Sequence, residues 1–307
     1  MSSWVSVGVL VVGLVLVVAG AELFFDALLV AAGRLGVSAF LLTVIVSGFE
    51  LENLAAGVAA NAKGLPDAAA GTFLGGTTFL ALGVAGLGAL LSPLRARPPG
   101  RALVWTAFAG LPLLALGLDG RLTRLDGVLL LAWFGIALTV VARAGMGLDA
   151  EPSPPRGRFI VPKLLAGLGL LAAGGELLGE GIRRVVGNFG ISEALLGNTA
   201  VAASVEAEEI ARVATPARRG RPDIALGNIL GTIVHFVGLN AGVIALVQPI
   251  ELSEVSVRLH LPVAAASAPV LAAILAWRGG LGRSEGAFLL VLYVGYVVAS
   301  VLAAVLA

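Results

Sequence analysis

The chain of 307 residues contains no cysteine, which excludes disulfides, thiolate-bound metals and cysteine nucleophiles and leaves the redox compartment open. Charge is also scarce: Asp, Glu, Lys and Arg make up 13% of the residues, about half their usual share in a soluble domain. A net charge of +1 provides no basic field for nucleic acid. The two histidines, His235 and His260, lie far apart and outside any HExxH-type spacing, so little supports a metalloenzyme. No ATP-binding motif occurs, and no cofactor or enzymatic activity is expected. The first residues, MSSWVSVGVL, lack a basic signal region, and the apolar stretch behind them is too long for a signal peptide. They read as a retained first span.

Apolar residues take the place of the missing charge. They make up 58% of the chain, the mean hydropathy is +1.01, and 42 glycines accompany them, a composition that suits helices packed through small residues in lipid. Ten apolar runs, each long enough to cross about 30 Å of hydrocarbon, fall near residues 5–32, 38–62, 69–92, 101–119, 125–143, 162–186, 191–214, 224–248, 259–277 and 285–306. The Pro-rich stretch GLDAEPSPPRGRF, Gly147 to Phe159, separates the first five from the second five.

The halves are copies. Sliding the sequence by 156 positions lays Glu50 on Glu206 and Glu52 on Glu208. Over the 26 pairs from Glu50/Glu206 to Gly75/Gly231, ten are identical, where chance gives about two or three. Upstream, GAELF (Gly20 to Phe24) matches GGELL (Gly174 to Leu178) at an offset of 154. An odd number of spans per copy forces the copies into the membrane with opposite orientations. The expected fold is therefore an all-α membrane protein of ten transmembrane helices in two inverted five-helix repeats. The first repeat covers 1–146, a cytoplasmic linker covers 147–161, and the second repeat covers 162–307. Loops on the side away from the termini hold 14 of the 20 Lys and Arg residues, which predicts a plasma-membrane protein with both termini outside.

Each copy carries an acidic centre inside an apolar run: Glu50 and Glu52 in the first, Glu206, Glu208 and Glu209 in the second. An ionisable group in mid-span costs on the order of 3 kcal/mol, so five of them point to function. Helical spacing puts Glu50 with Asn53, and Glu206 with Glu209, about 60° apart on shared faces. Such oxygens suit Ca²⁺, Na⁺ or a proton rather than a soft metal. The spacing also predicts a plainer role for Glu208, an ion pair to Arg212 one turn on. His235 reads as a hydrogen-bonded packing residue. Glu22, Asp26, Glu176 and Glu180 read as interhelix or helix-end groups. Gly71 and Gly75, like Gly227 and Gly231, read as faces for close helix approach. Clustered carboxylates in a low dielectric also predict that protons compete with cations.

The sequence resembles the calcium/cation antiporter superfamily, the sodium/calcium exchanger family in particular. The resemblance rests on GISEALLGNTAVA (Gly190 to Ala202), GNILGT (Gly227 to Thr232), the GAELF and GGELL elements and the duplicated ten-span plan. It implies ten helices in two inverted halves, with ions held between the second, third, seventh and eighth. It further implies exchange of Ca²⁺ or a related cation for Na⁺ or H⁺ by alternating access. The family's G-T-S-x-P-E hexapeptide falls on Ser204 to Glu209 and on Gly48 to Asn53. Glu209 then takes the acidic ligand position, Asn53 stands at its counterpart, and Glu206 and Glu50 replace serines. The prolines are missing, and the polar residue expected 27 positions on falls on Leu80 and Phe236, with Thr77 and Thr232 close by. The candidate cation ligands are Glu50, Asn53, Glu206, Glu209, Glu52, Glu208, Thr77 and Thr232. The expected partners are inorganic cations and the lipid bilayer. The alternative expectation is a transport-inactive or ion-sensing membrane protein of the same fold.

Overall fold

A computed structural model describes residues 3–46, 51–146, 148, 151, 159–187 and 208–306. Nearly all of them are helical. The first half runs α1 (Ser3–Leu35), α2 (Ala39–Val46), α3 (Leu51–Ala62), α4 (Pro66–Thr78), a π-helical turn (Phe79–Val84), α5 (Ala85–Leu91), α6 (Gly100–Ala107), α7 (Gly110–Gly117), strand β1 (Arg121–Leu122) and α8 (Arg124–Gly145). The second half runs α9 (Ile160–Gly187), α10 (208–218), α11 (Pro222–Val234), a π turn (His235–Asn240), α12 (Ala241–Val247), β2 (Ile250–Glu251), a π turn (Ser256–His260), α13 (Leu261–Arg278) and α14 (Arg283–Leu306). Among the described residues, eight helical stretches are long and apolar enough to span a membrane. The other two expected spans, near 38–62 and 191–214, run through residues outside the described set.

The duplication is visible as repeated local structure. α4, its π turn and α5 correspond residue for residue, at the offset of 156, to α11, its π turn and α12. Each begins with Pro-Asp, proline at the first helical turn where its missing N–H costs nothing. Each is preceded by a glycine in the left-handed region, Gly64 at φ 73° and Gly220 at φ 74°. Leu65 N–H donates to the Ala60 carbonyl at 3.0 Å and Arg221 N–H to the Pro216 carbonyl at 2.9 Å, the same glycine-dependent helix stop twice. The expected span 101–119 is interrupted, because Phe108 and Ala109 form a turn between α6 and α7. α8 starts at a capping box: Asp126 N–H donates to Thr123 Oγ1 at 3.2 Å and Thr123 N–H donates to the Asp126 carboxylate at 2.8 Å.

The chain packs as two compact units, each drawing on both repeats. In the first, residues 1–39 and 150–221, α1 and α9 run antiparallel along a glycine seam. A Cβ at Gly13 would lie 2.7 Å from the Leu178 backbone nitrogen, one at Gly20 2.7 Å from that of Leu171, and one at Gly174 2.6 Å from that of Val17. Only glycine permits this approach. Arg219, just past α10, pairs with both Glu22 and Asp26 of α1 and lies over the Phe25 ring. Arg221 holds both oxygens of Glu151.

The second unit, residues 40–149 and 222–307, has α4–α5 and α11–α12 as its most buried helices. At one end β1 pairs with β2, Leu122 opposite Ile250, and the Asn61 side chain donates to the Gln248 carbonyl at 2.7 Å. Asp67 accepts there from Ser253 N–H and Ser256 Oγ. At the other end Leu94 and Leu281 form an antiparallel bridge. Gly227 and Gly231 let α2 close in at Phe40 and Val44, as the small-residue reading expects. Gly71 and Gly75 serve no such contact among the described residues, where nothing lies within 4 Å of a Cβ built on either.

Candidate functional site

Within the first unit, Glu208 and Glu209 lie on α10 about 15 Å, at 1.5 Å per residue, before the helix ends near 218. Both are buried, at 4% and 2% exposure, together with Arg212 at 7%. Arg212 Nη1 donates to Glu209 Oε1 at 2.7 Å and Nη2 donates to Glu208 Oε1. One guanidinium thus serves carboxylates three and four residues before it, the two spacings that share a helix face. The pair with Glu208 is the one that the sequence predicts. The pair with Glu209 is additional, and its signal was present as the E-E-x-x-R spacing. Arg212 is consequently not a loop charge, although the sequence count placed it among them. It is held on α10 by Glu208 and Glu209 instead.

Within the second unit, the candidates Asn53, half-buried on α3, and Thr77 and Thr232, fully buried on α4 and α11, are described. Thr77 Oγ1 donates to the Phe73 carbonyl at 2.6 Å, which occupies its proton and leaves its lone pairs. Thr232 Oγ1 has no hydrogen bond among the described residues. Thr77 lies two residues and Thr232 three residues before a π turn, a distortion that recurs at functional sites. His235 is buried with Nδ1 2.8 Å from the Gly231 carbonyl, and its ring meets Phe134 edge-on at 4.9 Å, in keeping with a packing role. Leu80 and Phe236 are buried apolar groups, and the Phe236 ring fills the space over Gly76, where a Cβ would lie 2.7 Å from it.

Glu50 and Glu206, and the side chain of Glu52, lie outside the described residues, so the expected meeting of Glu50, Asn53, Glu206 and Glu209 does too. Among the described residues no three His, Asp or Glu side chains are grouped to hold a metal ion. The sequence reading missed the two repeat-equivalent π turns, the glycine seam of α1 and α9, and the second partner of Arg212. Of these, the seam was visible as glycines seven residues apart, 13 and 20 on α1 and 167, 174 and 181 on α9.

The sequence model of the family described as sodium/calcium exchanger protein matches residues 5–143 and again residues 160–302, one match in each half. An Alkalimonas amylolytica protein that carries the antiporter name CaxA is 28% identical over 93% of this chain and 95% of its own. Inner membrane protein YrbG of Escherichia coli K12 is 28% identical over 91% and 92%. Among solved structures, the sodium-calcium exchanger NCX_Mj, from crystals soaked with Na⁺ and Sr²⁺, superimposes with a TM-score of 0.83 over 97% of this chain and 99% of that one, at 24% identity. That agreement establishes the fold as the ten-helix, inverted-repeat one. Matched once in each half, and sharing that fold over nearly its whole length, the chain belongs to the sodium/calcium exchanger protein family, a family of membrane exchangers rather than enzymes.

Proposed function

We propose that this protein is a secondary antiporter that exchanges Ca²⁺ or a related cation for Na⁺ or H⁺ by alternating access. Glu50, Glu206 and Glu209 are its main ligands, with Asn53 a neutral one, Glu52 and Glu208 secondary, and the Thr77 and Thr232 hydroxyls at the edge of the site. The observation that carries the reading is the burial of Glu208 and Glu209, which belong to the second acidic centre, in a chain of the exchanger family. Buried carboxylates in a span are costly, and ion binding is a function that accounts for them. The antiporter name of CaxA and the exchanger name of NCX_Mj agree with it. The repeats 1–146 and 162–307, joined by the linker 147–161, are taken as the halves that exchange roles between inward- and outward-open states.

A second reading has one specific observation in its favour. Phe236, packed on Gly76, and Leu80 occupy positions where the family pattern has polar ligands, which suits an ion-sensing protein that keeps the fold without transporting. Flux separates the two. Purified protein in sealed vesicles, with the membrane potential clamped, is expected to take up ⁴⁵Ca²⁺ when either a pH or a Na⁺ gradient is imposed. Uptake under Na⁺ alone, indifferent to the pH gradient from about pH 6 to 8, would rule out the proton coupling that the clustered carboxylates suggest. Absence of flux with any divalent cation under both gradients would leave the sensing reading in possession.

A further inference from the structure

Arg212 has no place in the ligand set just proposed, yet it is the cation that the second acidic centre already holds. Its guanidinium is buried and reaches Glu209 at 2.7 Å and Glu208 as well. We infer that Arg212 is a tethered counter-cation, occupying the Glu209 carboxylate whenever no transported ion is bound there and moving wholly onto Glu208 when one arrives. The role in a transport cycle rests on the antiport reading, whereas the competition for Glu209 does not.

Three features lead to this assignment. Two ionised carboxylates side by side in a low dielectric are tolerable only with a cation between them, and a side chain supplies that cation without drawing on solution. Guanidinium stays charged at any physiological pH, so the compensation is constant, unlike that from a histidine. Glu208 gives the guanidinium an alternative seat at the i+4 spacing, so leaving Glu209 does not strand a buried charge. An incoming cation at Glu209 therefore competes with Arg212 for the carboxylate. Affinity is lowered in exchange for a site that remains charge-compensated when empty, and the native protein carries one mobile cation fewer at this centre than an arginine-free site would.

The test is cation binding and charge movement in the whole protein. Arg212→Gln is expected to lower the half-saturating Ca²⁺ concentration about tenfold or more in detergent-solubilised protein, since close buried charge pairs couple at this strength. In vesicles the same variant should shift the reversal potential of exchange by an additional monovalent charge per cycle, while Arg212→Lys stays close to native. If Arg212→Gln fails to fold, the double variant Glu208→Gln/Arg212→Gln keeps the native net charge and leaves Glu209 without its competitor. It should show the same gain in affinity. Unchanged Ca²⁺ affinity in the folded variants would overturn the inference and leave Arg212 a structural ion pair. A native protein that exchanges nothing, but whose variants bind Ca²⁺ more tightly, would remove the antiport reading and keep Arg212 as the competitor.

Discussion

Three neighbouring charges on one turn and a half of α10 show how spacing decides between ligand and strut. Glu208 stands four residues before Arg212 and Glu209 three before it, so both reach the guanidinium, and the adjacent Glu206 is not served by either spacing. The variants should differ accordingly. Glu50→Gln and Glu206→Gln are each expected to abolish exchange, since each removes an anionic oxygen from the proposed site. Glu208→Gln should retain exchange at saturating cation and lose about 1–3 kcal/mol of stability, the cost of one buried charge-assisted bond when Arg212 keeps its other partner. Thermal melting in detergent and ⁴⁵Ca²⁺ flux measure the two effects separately, and equal flux in all three variants would remove the basis for the site. At this scale the acidic residues were legible because charge in an apolar run is conspicuous. The second bond of Arg212 was less so, since helical geometry allows i+3 and i+4 partners equally and only packing selects both.

Among the helices, the information lay in glycine. α1 and α9 meet where glycines recur every seventh residue, which keeps them on one face over successive pairs of turns. Gly174→Val would place a branched carbon against the Val17 backbone, which has no rotamer to give, and should cost about 3 kcal/mol or more. Gly169→Ala, on the same helix but with nothing within 4 Å of the new Cβ, should stay within about 1 kcal/mol of native, on the stabilising side. Melting curves of the two variants that coincide would mean that the seam does not hold the first unit together. The contrast also explains what sequence reading reaches. The repeat was readable because its register runs without a gap from Glu50 to Gly75, and Gly64 and Gly220 then adopt the same φ. The π turns at Phe79–Val84 and His235–Asn240 were not, because a reading at 3.6 residues per turn assumes a uniform helix. At each of these turns an aromatic ring packs on the first residue, Tyr293 on Phe79 and Phe134 on His235.

For the molecule as a whole, the open question with the sharpest answer is which way it faces. Within the second unit the helices alternate between two ends, one tied by the β1–β2 pair and the Asn61 and Asp67 hydrogen bonds, the other by the Leu94–Leu281 bridge. The first end carries Lys63, Arg121, Arg124 and Arg258 among five acidic residues, Asp67, Asp119, Asp126, Glu251 and Glu254, and two of its arginines are paired, Arg121 with Glu251 and Arg258 with Glu254. The second end carries Arg95, Arg97, Arg101, Arg143, Arg278 and Arg283 against Asp223 and Glu285, of which Glu285 pairs with Arg278. Setting Arg212 aside as a buried group leaves thirteen basic residues against six in the original count, so the asymmetry does not depend on it. Basic residues near span ends are retained on the cytoplasmic side during insertion, so the expected cytoplasmic end is the one with the Leu94–Leu281 bridge. α14 starts at that end, at Arg283, so on this expectation its far end lies outside, and an even number of spans puts the start of the chain on the same side. The absence of native cysteine makes the test clean, since each introduced thiol is the only one. A cysteine at Ser3 should react with an impermeant maleimide in intact cells, whereas one at Ser153 in the linker should react only after lysis. The reverse pattern would turn the protein over in the membrane, and with it the side from which a cation first meets Glu206 and Glu209.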